Sequence, residues 1–297
     1  MKEQDILKRI YQWTDRSIMK EFTDHSMRKR RNLIEKTAER MFSQEFLEGM
    51  NGTVFPCVQD REYSVIACSV FLDDVCVKNL LSQQKEQNIF LLTHHFFDID
   101  CGRPGTCSGT GFSMINIEKL RQLYDRGVQI CSIHLPLDVN KSVVNTHRAL
   151  TEQLGLVPEK DLLEYPFGTI GYMVNGSMFS EKQLRKMFPD TISYGNVDQK
   201  LDLSKKIAVI AGMISSTEML QRVEKQNCGI LICGDVLLRN GSRRTKQIEE
   251  YISQTSLKIY CISHYQSEFW ALKRLTELVA GCSDMLPLLI YDKELWK

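Results

Sequence analysis

Two pairs of residues repeat one spacing: His134 with Asp138, and His264 with Glu268, each set a carboxylate four positions after an imidazole. The dipeptide His94-His95 adds two more nitrogen ligands, and all four histidines stand at or just after the end of an apolar run. Imidazole nitrogen and carboxylate oxygen together suit Zn, Mn, Fe, Co or Ni; they exclude a soft Cu(I) site and argue against plain Mg or Ca. Six such ligands exceed what one catalytic ion takes. Two divalent cations about 3.5–4 Å apart, bridged by Asp138, Glu268 or a hydroxide, would use the whole set and supply a nucleophilic hydroxide near neutral pH. Asp235, or a carboxylate such as Asp98 or Asp100, is a candidate to move the proton. A lone histidine at a strand end is more often a hydrogen-bonded, half-buried residue than a ligand, and it is the repeated spacing that points to a metal site. His25 and His147 have no such context and are expected at surface or packing positions.

Bringing these side chains to one crevice calls for parallel strands, because ligands of such sheets gather outside the strands' carboxyl ends. Short β-branched and apolar runs predict strands at Val65 to Leu72, Ile89 to Thr93, Val128 to Ile133, Ile207 to Ala211, Gly229 to Cys233 and Lys258 to Ile262. Helical periodicity fills the intervals, with Gly155 and Gly281 as helix stops. Pro136 ends its strand and lets Asp138 fold back, and one helical turn returns Glu268 to the face of His264. The first three strands laid over the last three repeat a strand, helix, strand pattern, with Phe90 to His95 beside Ile230 to Asp235. The expected fold is therefore α/β: two similar units from an internal duplication, with mostly parallel sheets, a metal cleft between them and extra N-terminal helices. The expected boundaries are a helical segment 1–50, a first unit 51–155, a connector 156–205 and a second unit 206–297.

Composition narrows the function. The 297 residues are 43% hydrophobic and 25% charged, which is globular, and 38 Lys plus Arg against 37 Asp plus Glu leave no general field for nucleic acid. The short basic cluster from Met27 to Asn32 is expected on a solvated helix face. Charges every few residues at the N-terminus fit neither a signal nor a transit peptide, and no apolar run reaches 18 residues, so a cytoplasmic protein without membrane contact is expected. The ten cysteines lie mostly inside apolar runs and contain no C-x2-C pair, consistent with reduced core thiols rather than disulfides or structural zinc. The glycine-rich stretch Cys101 to Gly111 lacks the ending of a P-loop and reads as a loop over the crevice, with a phosphate contact through Arg103 as the weaker reading. No G-x-S-x-G or H-E-x-x-H motif supports serine-hydrolase or zincin chemistry.

With Leu92-Thr93-His94-His95, His134-Leu135-Pro136-Leu137-Asp138, Cys233-Gly234-Asp235 and His264-Tyr265-Gln266-Ser267-Glu268 in that order, the chain resembles the dinuclear-metal proteins called GTP cyclohydrolase type 2-like or NGG-interacting-factor-three-like. The resemblance extends through Asp73, Asn145, Leu154-Gly155 and Gly168 to Gly171, and covers about residues 55 to 295. It implies two α/β domains with a two-metal site in the cleft between them, and a homo-oligomer, often a ring-shaped hexamer. It implies His94, His95, Asp138, His264 and Glu268 as ligands, with His134 a sixth or a near neighbour. The cyclohydrolase label implies metal-assisted hydrolytic opening of a purine ring, and Phe96, Phe97 and Tyr265 could stack such a ring. Other members are described as metal-handling or interaction proteins, so storage, delivery or scaffolding is the alternative to a hydrolase. The chain departs from the pattern at Ala211 to Ser216, which is bulkier than the usual glycine-rich turn, at Cys233 for threonine, and at Ser263 for glycine. The N-terminal helical segment is longer than the pattern, and the domain often inserted between the halves has no counterpart.

Overall fold

A computed structural model describes residues 1–15, 17, 40–84, 86–96, 98–99, 112–113, 116–195, 202–238 and 241–291. His25, the basic cluster 27–32, Phe97, Asp100 and the stretch 101–111 with its two cysteines and Arg103 lie outside the described residues, as does the side chain of Asp98. The strands run β1 (Gly52–Thr53), β2 (Val65–Phe71), β3 (Ile89–His95), β4 (Asp98–Ile99), β5 (Phe112–Ser113), β6 (Val128–Ser132), β7 (Lys160–Tyr165), β8 (Gly168–Val174), β9 (Ile192–Gly195), β10 (Lys206–Ile214), β11 (Cys228–Val236), β12 (Lys258–Cys261) and β13 (Leu286–Leu289). One sheet has the order β1-β6-β3-β2-β13 and is parallel except for β1. The other, β7-β8-β10-β11-β12-β9, has a parallel centre of β10, β11 and β12 with antiparallel strands on both flanks. β4 and β5 form a separate antiparallel pair.

The apolar runs seen in the sequence are strands covered on both faces. In β2, Ile66, Cys68 and Val70 pack against Leu272 and Leu275 of the helix His264–Gly281. Val65 and Ala67 point the other way, onto Cys76, Leu80, Leu120 and Leu123 of the helices Asp74–Leu81 and Ile117–Asp125. The second sheet repeats this arrangement. Ala208, Leu231 and Ile259 meet Leu220 and Ile248 of the helices Thr217–Lys225 and Arg243–Gln254, while Val209, Ile232 and Tyr260 meet Leu150 of the helix Thr146–Gln153 and Trp270. The helices 146–153 and 264–281 therefore lie between the sheets, giving five layers. With 12 of its 18 residues buried, the helix 264–281 has no single apolar stripe, as expected for a helix packed on opposite sides.

The six expected strands all form, with ends within three residues of the sequence expectation. The segment 156–205 does more than connect: it supplies β7, β8 and β9 to the second sheet. These strands escape an apolar-run reading because KDLLEY is charged at its ends, GTIGYMV contains two glycines, and ISYG has only four residues. Residues 286–289, expected with the second unit, return to the edge of the first sheet beside β2. At the N-terminus the helices Glu3–Trp13 and Gln44–Gly49 are present among the described residues. The first buries Ile6 and Ile10 in the core that holds Phe269 and Leu272, and the Met1 amine donates to the Tyr63 carbonyl at 2.8 Å. No helix among the described residues is long and apolar enough to cross a membrane.

Ser263 joins β12 to the helix 264–281 in a conformation that disfavours any side chain, with φ 137° and ψ 134°. Its hydroxyl accepts from Gln266 N at 3.2 Å and its N–H donates to the Gly234 carbonyl at 2.9 Å, so the turn is held despite the strain. Backbone strain of this kind costs about 1–3 kcal/mol, whereas a serine cap exceeds a glycine cap by only a few tenths of a kcal/mol. Ser263→Gly is therefore expected to stabilise the fold by about 1 kcal/mol. Urea unfolding checks this, and a lowered midpoint would count against the strain.

Candidate metal centre

The six expected ligands come from three strand ends. His94 and His95 finish β3, His134 follows β6, and His264 opens the helix after β12. The two His-x3-carboxylate motifs both prove to be single helical turns. Leu135–Asp138 is a one-turn helix with proline near its start, where a fixed φ suits a first turn, so Asp138 returns to the face of His134. Glu268 lies one turn into the long helix, with its Oε1 3.0 Å from His264 Nε2. Gly234, which precedes Asp235 in β11, sits where the helix 264–281 begins. A Cβ there would stand 2.5 Å from the Gly212 carbonyl oxygen, 2.5 Å from Ser267 Oγ and 2.9 Å from His264 Cα.

These side chains form three overlapping groups whose ligand atoms lie within 4.8 Å of one another: His94, His95 and His134; His95, His264 and Glu268; and His94, Asp138 and Glu268. Glu268 belongs to two of them. Its Oε2 is 3.1 Å from His95 Nε2, and its Oε1 is 3.6 Å from His94 Nε2. Asp138 places Oδ1 3.3 Å from His94 Nε2 and Oδ2 3.8 Å from His134 Nε2. The side chains of His94, His95, His264 and Glu268 are at most 7% exposed, whereas His134 and Asp138 reach 23% and 18%, so the cluster opens on their side.

The donor set fits a cation on an observation independent of spacing. His94 Nδ1 lies 2.8 Å from the Ile133 carbonyl, which can only accept, so Nδ1 carries the proton. In the neutral ring Nε2 is then an acceptor, buried without a hydrogen-bond partner, and it faces oxygens of two carboxylates. Acceptors turned toward one another in a buried space favour a positive charge between them, a metal ion or a proton. The electrostatics agree. Burial alone would push His94 down, yet the Asp138 and Glu268 carboxylates overcome it and hold the imidazole well above its usual value. Burial depresses His95 well below its usual value in spite of Glu268. For the carboxylates burial works upward and is outweighed: His94 draws Asp138 down to about 2, and His264, His94 and His95 hold Glu268 well below the carboxylate range.

Asp235 stands apart from all three groups; it is fully buried, and its Oδ1 accepts from Val236 N at 2.7 Å. Phe96 packs on Phe42 and Phe46, and Tyr265 is buried with its hydroxyl on the Ile290 carbonyl, so both serve the core. Asp73 caps the helix 74–81 by accepting from Cys76 N. Four supporting residues were not expected. Asn51 accepts from His134 N at 2.8 Å, Thr146 Oγ1 donates to Asp138 Oδ1 at 3.0 Å, Ser267 Oγ donates to the His264 carbonyl at 2.8 Å, and His147 is buried behind Asp138. Thr146 and His147 follow the named Asn145, but single polar residues at helix starts carry no periodic signal. Among the described cysteines all are free, and six of them are buried.

The close approach at Gly234 yields a direct expectation. A methyl group there must displace main chain on two sides, so Gly234→Ala is expected to destabilise the fold by about 1–3 kcal/mol. Gly281→Ala, where a Cβ meets nothing within 4 Å, should be neutral or stabilising in the same urea unfolding experiment.

In fold, the chain is similar to reduced HcgD from Methanocaldococcus jannaschii, with a TM-score of 0.64, 19% identity and 98% of each chain covered. It is similar also to TTHA1606 from Thermus thermophilus, with a TM-score of 0.53 and 18% identity over 89% of this chain and 98% of that one. The protein ybgI, of unknown function, gives a TM-score of 0.54 at 12% identity, over 89% of this chain and 96% of that one. At such identities the likeness concerns the fold. No curated protein matches the sequence. The family described as Duf34/NIF3 (NGG1p interacting factor 3) matches residues 70–290, which contain every residue of the cluster, and the chain belongs to that family.

Proposed function

We propose that His94, His95, His134, Asp138, His264 and Glu268 hold two divalent cations in a cleft between two related α/β halves, and that the centre serves a hydrolytic reaction. The observation that carries this reading is the buried His94 Nε2, which lacks a hydrogen-bond partner and faces Asp138 and Glu268 oxygens at 3.3 and 3.6 Å. Glu268 suits the bridging role, because its two oxygens address different histidines. Cations bound there would polarise an electrophile and make water nucleophilic near neutral pH. The protein's own part is orientation. The Ile133 carbonyl fixes the His94 tautomer, Thr146 holds one oxygen of Asp138, and the half-open His134 and Asp138 face the side from which a substrate can arrive. A substrate with a purine or phosphate group, and a homo-oligomeric assembly, belong to the same proposal.

Metal analysis of the isolated protein is expected to find two equivalents of Zn, Mn, Fe, Co or Ni, with His264→Ala losing at least one. Metal-dependent turnover of nucleotides, phosphoesters or amides would establish the hydrolase. Two equivalents without turnover would favour storage or delivery, the reading supported by the deep burial of four ligands. A protein that takes up no metal would refute both.

Binding should also depend on pH in a defined direction. Without a cation the carboxylates keep a proton on His94 above its ordinary range, and a cation must displace that proton. Affinity for Co(II) is therefore expected to rise from pH 6 to pH 8, by about tenfold per unit where one proton is displaced. Isothermal titration in buffers of different ionisation enthalpy reads the proton release, and a flat pH dependence would contradict this protonation of His94.

A further inference from the structure

β10 contains a bulge directly behind the cluster. Ile210 lies opposite Cys233 and Met213 opposite Asp235, so Ala211 and Gly212 together stand against the single residue Gly234. Gly212 takes φ +79°, as such a bulge requires, and a Cβ there would lie 2.7 Å from Glu268 Oε1. Side chains capture both backbone N–H groups of the bulge. Ala211 N donates to His147 Nδ1 at 3.0 Å, and Gly212 N donates to Ser267 Oγ at 2.9 Å. Each acceptor sits in the first turn of a helix that serves the site. Ser267 lies between His264 and Glu268 in sequence and donates onward to the His264 carbonyl. His147 follows Thr146, whose hydroxyl holds Asp138.

His147 is not explained by packing. It is 2% exposed, in a helix whose Leu150 lies in the apolar core, where leucine would fill the space without a polar cost. Because Nδ1 accepts from an amide, the neutral ring carries its proton on Nε2, and the Asp138 main chain faces the ring.

Building on the metal reading above, we infer that His147 is a positioning residue: by accepting from Ala211 it ties the Thr146–Asp138 contact to the bulge that holds the His264–Glu268 turn through Ser267. Two adjacent amides of one rigid strand thus set the spacing between the Asp138 half of the centre and the Glu268 half. Groups behind the ligands commonly change metal affinity 10–100-fold when removed.

The test is Co(II) titration of the full chain, read by visible absorption and stoichiometry, with thermal melting alongside. His147→Asn offers an amide oxygen near the position of Nδ1, whereas His147→Leu fills the space and accepts nothing. His147→Leu is expected to weaken one Co(II) equivalent by about tenfold or more and alter its absorption band, with His147→Asn restoring both toward the unsubstituted protein. Thr146→Val interrupts the same link at its other end and should give the same spectral change, which keeps the test decisive if His147→Leu does not fold. Unsubstituted spectra and affinities in Thr146→Val and in every His147 variant that folds would overturn this inference alone. Failure of the unsubstituted chain to bind Co(II) would overturn the metal reading together with it.

Discussion

The organising constraint in this molecule is the meeting of His94 Nε2 with two carboxylates in a largely buried volume. The Ile133 carbonyl takes Nδ1 of His94 and turns Nε2 toward the small volume into which Asp138 and Glu268 present oxygens. Neutral side chains could not be left in that arrangement without paying for each desolvated lone pair. A fold that holds them there has to compensate through rigidity elsewhere and through positive charge at the centre. The depressed carboxylates and the raised His94 are the electrostatic trace of that demand.

Rigidity comes from the helix 264–281. Its apolar length is gripped by both sheets, while its first turn, His264 to Glu268, is polar and buried. Moving that turn would mean shearing a helix between two packed surfaces, which close-packed interiors resist. The strained Ser263 and the tight contact at Gly234 mark how close β11 and β12 must come to the helix start for Glu268 to reach His94 and His95 at once.

The sequence revealed the clustered side chains better than the scaffolding. The clustered candidate residues were legible because imidazole and carboxylate types recur at one spacing after apolar runs, and that spacing is one helical turn in both cases. The strands covered on both faces were legible as unbroken apolar stretches. β7, β8 and β9 were not, since flanking strands can be short, charged or glycine-containing when only part of their surface meets the core. The return of β13 to the first sheet was hidden because a four-residue strand with a proline carries no long-range information. Asp235 looked available beside a glycine at a strand end, but its carboxylate is engaged by its own neighbour's amide. His147 looked idle because nothing in its local sequence signals a contact with a strand more than sixty residues away.

The family match begins at residue 70, inside β2, the strand that stands between β3 and β13. Upstream of that point lie most of β2, the Tyr63 carbonyl that receives the Met1 amine, and the helix whose Ile6 and Ile10 lie in one core with Phe269 and Leu272. The stretch recognisable by shared sequence is therefore smaller than the stretch that must fold together. Trimming the chain to the recognisable part would divide β2 and strip cover from the core beneath the helix that carries His264 and Glu268, so the upstream segment is part of the fold that holds the cluster rather than an appendage to it.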